Sequence, residues 1–107
     1  MESSAGQVWS FTVPLWRWRE GSWHFVTVPQ DVSDEVDQVV GDATGGFGSV
    51  RVEVTVGATV WRTSLFPSTE EAAYVLPVKK AVRVAEDLAD GRAVPVTIRV
   101  LDATAGP

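Results

Sequence analysis

Alternation of apolar and polar residues runs through most of this chain. From Ser49 to Val56, Val50, Val52, Val54 and Val56 fall on one side and Arg51, Glu53 and Thr55 on the other. That period of two marks a strand with one buried face, and it predicts Arg51 and Glu53 exposed. Val8 to Val13 sets Trp9, Phe11 and Val13 against Ser10 and Thr12, and Leu15-Trp16-Arg17-Trp18-Arg19 extends the strand past a bend at Pro14. Trp23 to Val28 reads as a second strand with Trp23 and Phe25 on its apolar side, His24 facing the surface and Pro29 closing it. Thr59 to Phe66 brings Trp61, Thr63 and Leu65 together, Ala73 to Leu76 is a short strand, and Val94 to Val100 aligns Val94, Val96, Ile98 and Val100. Glu20-Gly21-Ser22 and Gly57-Ala58 supply turns; 42–46 and Pro67 to Glu71 read as loops.

Two segments switch to helical spacing. In the first, Ser33 is the expected N-cap, Asp34 and Glu35 occupy the first turn, Val32, Val36, Val39 and Val40 recur on one face, and Gly41 ends it. The acidic run Asp31, Asp34, Glu35, Asp37 is then the solvated face of a short helix. The second opens at Pro77-Val78-Lys79, carries the stripe Val78, Ala81, Val82, Ala85 and Leu88, and stops at Asp90-Gly91. Six one-faced strands and two short helices in 107 residues predict a single mainly β domain, a small closed barrel. A barrel this small fills its interior with side chains, so a ligand would sit at a mouth or against a helix.

Composition narrows the function classes. The chain has no cysteine, which removes disulfides, thiolate metal sites and a cysteine nucleophile. The N-terminal residues lack the basic and apolar regions of a signal peptide, and no apolar run approaches a membrane span, so the expectation is a cytoplasmic protein with no membrane contact. The net charge of −5 argues against nucleic acid, whose binding rests on clustered Lys and Arg.

Candidate chemistry is sparse. His24, the one histidine, forms no triad with the residues near it in sequence, and the helix carboxylates lack calcium-loop spacing. No motif implies a cofactor or a metal. Gly45-Gly46-Phe47-Gly48 leads into a strand, so it is no dinucleotide cradle; it reads as a tight turn or bulge, or as a close backbone approach by a ligand. Trp9, Trp23 and Trp61 are expected in the core. Trp16 and Trp18, interleaved with Arg17 and Arg19, fit an exposed hairpin with Arg packed on Trp, a homodimer or protein-partner contact, or a stacking surface for single-stranded nucleic acid. Lys79, Lys80 and Arg83 form the one compact basic cluster. Lysines in a first helical turn oppose the helix dipole. They either pair with acids such as Glu70 or Glu71, or form, with hydroxyls of Thr63 and Ser64, a site for a small anionic ligand.

The combined run Trp23-x-Phe25-Val26-x-Val28-Pro29, Gly46-Phe47-Gly48-Ser49-Val50, Trp61-x-Thr63-Ser64-Leu65-Phe66-Pro67, Tyr74-x-Leu76-Pro77-Val78-Lys79 and Val82-Arg83-x-Ala85 resembles the bacterial domain-of-unknown-function 1905 family, over about residues 7–101. The resemblance implies a six-stranded double-split or Greek-key barrel, similar in shape to AbrB/MazE-type DNA-binding barrels, and implies no activity. The leading expectation is a non-enzymatic binding module for a small anionic ligand or a partner protein, at Thr63, Ser64, Lys79, Lys80 and Arg83. The alternatives are an AbrB/MazE-like regulator, on shape alone, and an enzyme of unrecognised class using Tyr74 or Lys79 as acid or base.

Overall fold

A computed structural model of the chain describes residues 7–18, 21–40 and 48–101. The elements follow as β1 (Val8–Arg17), β2 (His24–Thr27), α1 (Gln30–Val40), β3 (Val50–Val56), β4 (Thr59–Ser68), β5 (Ala73–Pro77), α2 (Lys80–Ala85) and β6 (Ala93–Val100). Six antiparallel strands close into a barrel in the order β1-β2-β5-β4-β3-β6. Strands β3, β4 and β5 form a meander, and β6 returns through α2 to lie beside β3, which is a Greek key. The expected mainly β barrel with two short helices is the observed fold.

Closure depends on two long strands that change partners. Strand β1 pairs with β6 over Val8–Pro14 and with β2 over Leu15–Arg17. Strand β4 pairs with β3 over Thr59–Leu65 and with β5 only over Phe66–Ser68. Each changeover has a proline beside it, Pro14 and Pro67, where the strand gives up one ladder for the next. Pro67 is therefore a strand residue, not the loop residue its identity suggested.

The interior is aliphatic. Val50, Val52, Val54 and Val56 are buried, facing Leu15, Val26, Leu65, Leu76 and Ile98 in one cluster. Arg51 is exposed as expected, but Glu53 is half-buried. Arg99 donates to its Oε1 at 2.9 Å and Arg62 Nε lies 3.8 Å from Oε2.

Strand β2 has the opposite facing from the expected one. Val26 lies opposite buried Leu15 and is itself fully buried, so Phe25 and Trp16, also directly opposite each other, face out. Trp23 is 64% exposed, whereas the His24 side chain is 10% exposed. The segment offers two alternating apolar sets, Trp23/Phe25 and Val26/Val28. The narrow barrel takes the set that fits among valines. Of the tryptophans expected inside, Trp9 is buried, Trp61 packs half-exposed against the core, and Trp23 lies outside it.

Both helices differ from expectation at their ends. Helix α1 starts three residues before the expected cap, where the Ser33 amide donates to the Pro29 carbonyl at 2.8 Å. Ser33 is buried inside the helix; its hydroxyl donates to Val28 O and accepts from Tyr74 N, each at 3.2 Å. The acidic face is exposed but not idle. Glu35 accepts from Trp9 Nε1 at 2.8 Å and Asp37 from the Tyr74 hydroxyl at 2.6 Å, tying α1 to β1 and β5. Helix α2 has only six residues and ends before Asp90. Asp87, at φ 54°, closes it, with Leu88 N donating to Arg83 O at 2.9 Å and Asp87 N to Val84 O at 3.3 Å, a Schellman motif. Val82 and the flanking Val78 are buried and Leu88 packs on the core, while Ala81 and Ala85 are exposed. Gly41 and the glycine-rich run through Phe47, together with Arg19 and Glu20, lie outside the described residues.

Two outcomes test this architecture. Val52→Asp places an unpaired carboxylate in the barrel interior and is expected to cost about 3–5 kcal/mol; urea denaturation of parent and variant measures it. Tyr74 titrates above its ordinary value of 10.0, because burial first, and then donation to the Asp37 carboxylate, disfavour the phenolate. The unfolded chain ionises this tyrosine near pH ~10 while the folded chain keeps it protonated. Its contribution is thus complete below pH ~10 and is lost as pH rises beyond that. Tyr74→Phe is expected to lower stability by about 1 kcal/mol near neutrality and to flatten the alkaline loss, read from urea unfolding at about pH 8 and about pH 11.

Candidate functional site

Because β4 leaves β3 for β5 only at Phe66, its first half has no strand on the other side. Strand β5 ends at Pro77, and the chain turns into α2 beside that gap. A cleft of about 490 Å³ results. One wall is Trp61, Arg62, Thr63 and Phe66 of β4; the others are Ser22, Trp23 and His24 at the start of β2, and Pro77, Val78, Lys79, Lys80 and Arg83 leading into α2.

Four of the five site residues expected from sequence therefore meet in one place: Thr63, Lys79, Lys80 and Arg83. Ser64 lies outside the lining, opposite Arg51 on the outer face of β4. Sequence reasoning missed Arg62, which sits beside Thr63, and the aromatic wall of Trp23 and Phe66. Arg62 had a visible signal, a cation on a strand already assigned to the site. Trp23 had none, because its place depends on the pairing of β2 with β5.

Among the described residues four cationic side chains line the cleft and no carboxylate does. Among the described residues no carboxylate lies within ion-pair distance of Lys79, Lys80 or Arg83. Glu71 is engaged elsewhere, accepting from Thr27 Oγ1 at 3.3 Å. Arg83 Nε donates to Val78 O at 3.2 Å, which ties its guanidinium to the segment leading into α2. Arg62 shares Glu53 with Arg99, whose hydrogen bond and charge hold the Glu53 carboxyl below the usual range. His24 Nδ1 lies 2.9 Å from the Ser22 carbonyl oxygen and Nε2 lies 2.8 Å from Asp90 Oδ1. Both ring nitrogens are thus engaged, Nδ1 within the β1–β2 turn and Nε2 with Asp90 in the segment after α2.

Tyr74 and Lys79, the two candidate acid–base groups, occupy different clefts. Tyr74 lines a separate groove with Ser33, Asp37 and Ser68. Its hydroxyl is committed to Asp37 and held protonated, which suits an anchor rather than a base. Among the described residues no three His, Asp or Glu side chains are grouped to hold a metal ion.

From Trp23 in the cleft wall an aromatic strip continues over β1 and β2. The Trp16 and Phe25 ring centres are 5.1 Å apart, and Trp23 stacks on Phe25 at 6.2 Å with 14° between planes. Trp16 Nε1 donates to Thr27 Oγ1 at 2.9 Å. Phe66 of β4 adds a ring that is 44% exposed.

Among the described residues no helix is long and apolar enough to cross a membrane. Comparison with curated proteins returns no match. The family model described as a domain of unknown function, number 1905, matches residues 11–98, most of the chain, from within β1 to within β6. The chain belongs to the DUF1905 family.

Proposed function

We propose that this protein is a non-enzymatic binding module that holds a small anionic ligand in the cleft between β4 and α2. One observation carries the reading: Lys79, Lys80 and Arg83 line one cleft beside Arg62 and, among the described residues, have no carboxylate within ion-pair distance, in a chain whose net charge is −5. In an acidic protein, like-charged side chains left together without partners raise the local potential and cost stability unless an anion offsets them. Thr63 adds a hydroxyl donor to the same wall. The side chains, not the helix dipole, bear the argument, because α2 is only six residues long. A protein partner is the second reading, favoured by the exposed rings of Trp23 and Phe66.

Phosphate is expected to raise the melting temperature more than chloride does at equal ionic strength. A ligand at about a hundred times its Kd adds about 2.7 kcal/mol to the folded state. Phosphate also stabilises proteins by exclusion from their surface, so the deciding comparison is Lys79→Ala/Lys80→Ala. Loss of the phosphate increment in that variant supports the site. An undiminished increment would sink it.

A further inference from the structure

Resting on the anion-site reading, we infer a ligand class: an aryl anion, a small molecule with a planar aromatic ring at one end and a phosphate or carboxylate at the other. The cationic cleft does not end at its lysines. Trp23, Phe66 and Pro77 also wall a second groove of about 660 Å³ on the outer face of β2 and β5, continued by Trp18, Phe25 and Val75. Both volumes fall within the ~300–1,000 Å³ of small-molecule sites.

Strand register joins the two halves. Phe25 lies opposite Pro77, and Val78 N donates to His24 O at 2.9 Å, carrying the pairing one step further. Trp23 and Lys79 come next along the two segments, and both line the cleft. A ring surface and an ammonium group thus flank the same mouth. Trp23 is 64% exposed but not loose, since its ring stacks on Phe25, which packs in turn on Trp16. A stacking surface held on paired strands is ready for a flat ligand without prior ordering. Glu70 lines the aromatic groove and not the cationic cleft, and disfavours a second negative charge in that groove. The anionic end is therefore directed to Lys79, Lys80 and Arg83, and an uncharged ring to Trp23 and Phe66.

Isothermal titration of the full chain with naphthyl phosphate, methyl phosphate and naphthol tests this. Naphthyl phosphate is expected to bind at least about tenfold more tightly than methyl phosphate, the gain of one stacked ring. Trp23→Ala should reduce naphthyl phosphate to the methyl phosphate affinity and leave methyl phosphate unchanged, whereas Trp23→Phe should keep part of the preference. Lys79→Ala/Lys80→Ala should weaken both phosphates. Equal affinities for the two phosphates in the parent would overturn the aryl class and leave the anion site standing. Naphthol binding as tightly as naphthyl phosphate would also overturn it, since the groove would then be a plain apolar patch. Failure of both phosphates to bind would overturn the anion site itself.

Discussion

Closing six strands on themselves leaves a narrow interior filled mainly by aliphatic side chains, and the rest of the structure follows from that limit. Val52, Val54, Val26 and Ile98 are fully buried. Larger rings are displaced to places where the barrel wall is covered or open. Trp9 is buried with its indole N–H bonded to Glu35 of α1. Trp61 is half-exposed at the gap beside β4. Trp16, Phe25 and Trp23 lie on the outside and pack on one another. The aromatic surface that flanks the cleft is thus a consequence of packing, because a barrel of this bore excludes those rings from its core.

The same closure produces the cleft. A closed barrel needs each strand paired on both sides, and β4 meets this by changing partners near its end. Its first half is left with one strand neighbour, and α2 lies beside the vacant side. Thr59 Oγ1 donates to Glu86 Oε2 at 2.6 Å, holding the end of α2 to the start of β4. Gly57, at φ 59° in the β3–β4 turn, lies under the Glu86 carboxylate where a Cβ would collide with it. The cleft is therefore bounded by elements fixed at both ends, and its cationic residues ride on a positioned frame.

Charge is distributed with a matching division of labour. Carboxylates of α1 serve as acceptors for Trp9 and Tyr74, and Glu53 and Asp90 neutralise Arg99 and engage His24. Lys79, Lys80 and Arg83 are left without such partners among the described residues. Of the cleft cations, Arg62 alone has a carboxylate partner among the described residues, Glu53.

Where local pattern and burial coincide, the sequence determined the outcome by itself. The valines of β3 and β6 permit only one facing, because their polar alternates can be solvated only outside, and the barrel class follows from six such strands. The basic cluster of the site was legible too, since Lys79, Lys80 and Arg83 are near neighbours in the chain. Tertiary structure decided what local pattern left balanced. In β2 two apolar sets competed, and only pairing of Val26 with Leu15 and Leu76 selected the aliphatic one, turning Trp23 outward. Ser33 looks like a cap in sequence, yet its hydroxyl bridges Val28 and Tyr74, a partner 41 residues away. Arg62 and Trp23 join Lys79 around one cleft only because non-local strand pairing brings three distant segments together, and no local propensity encodes that.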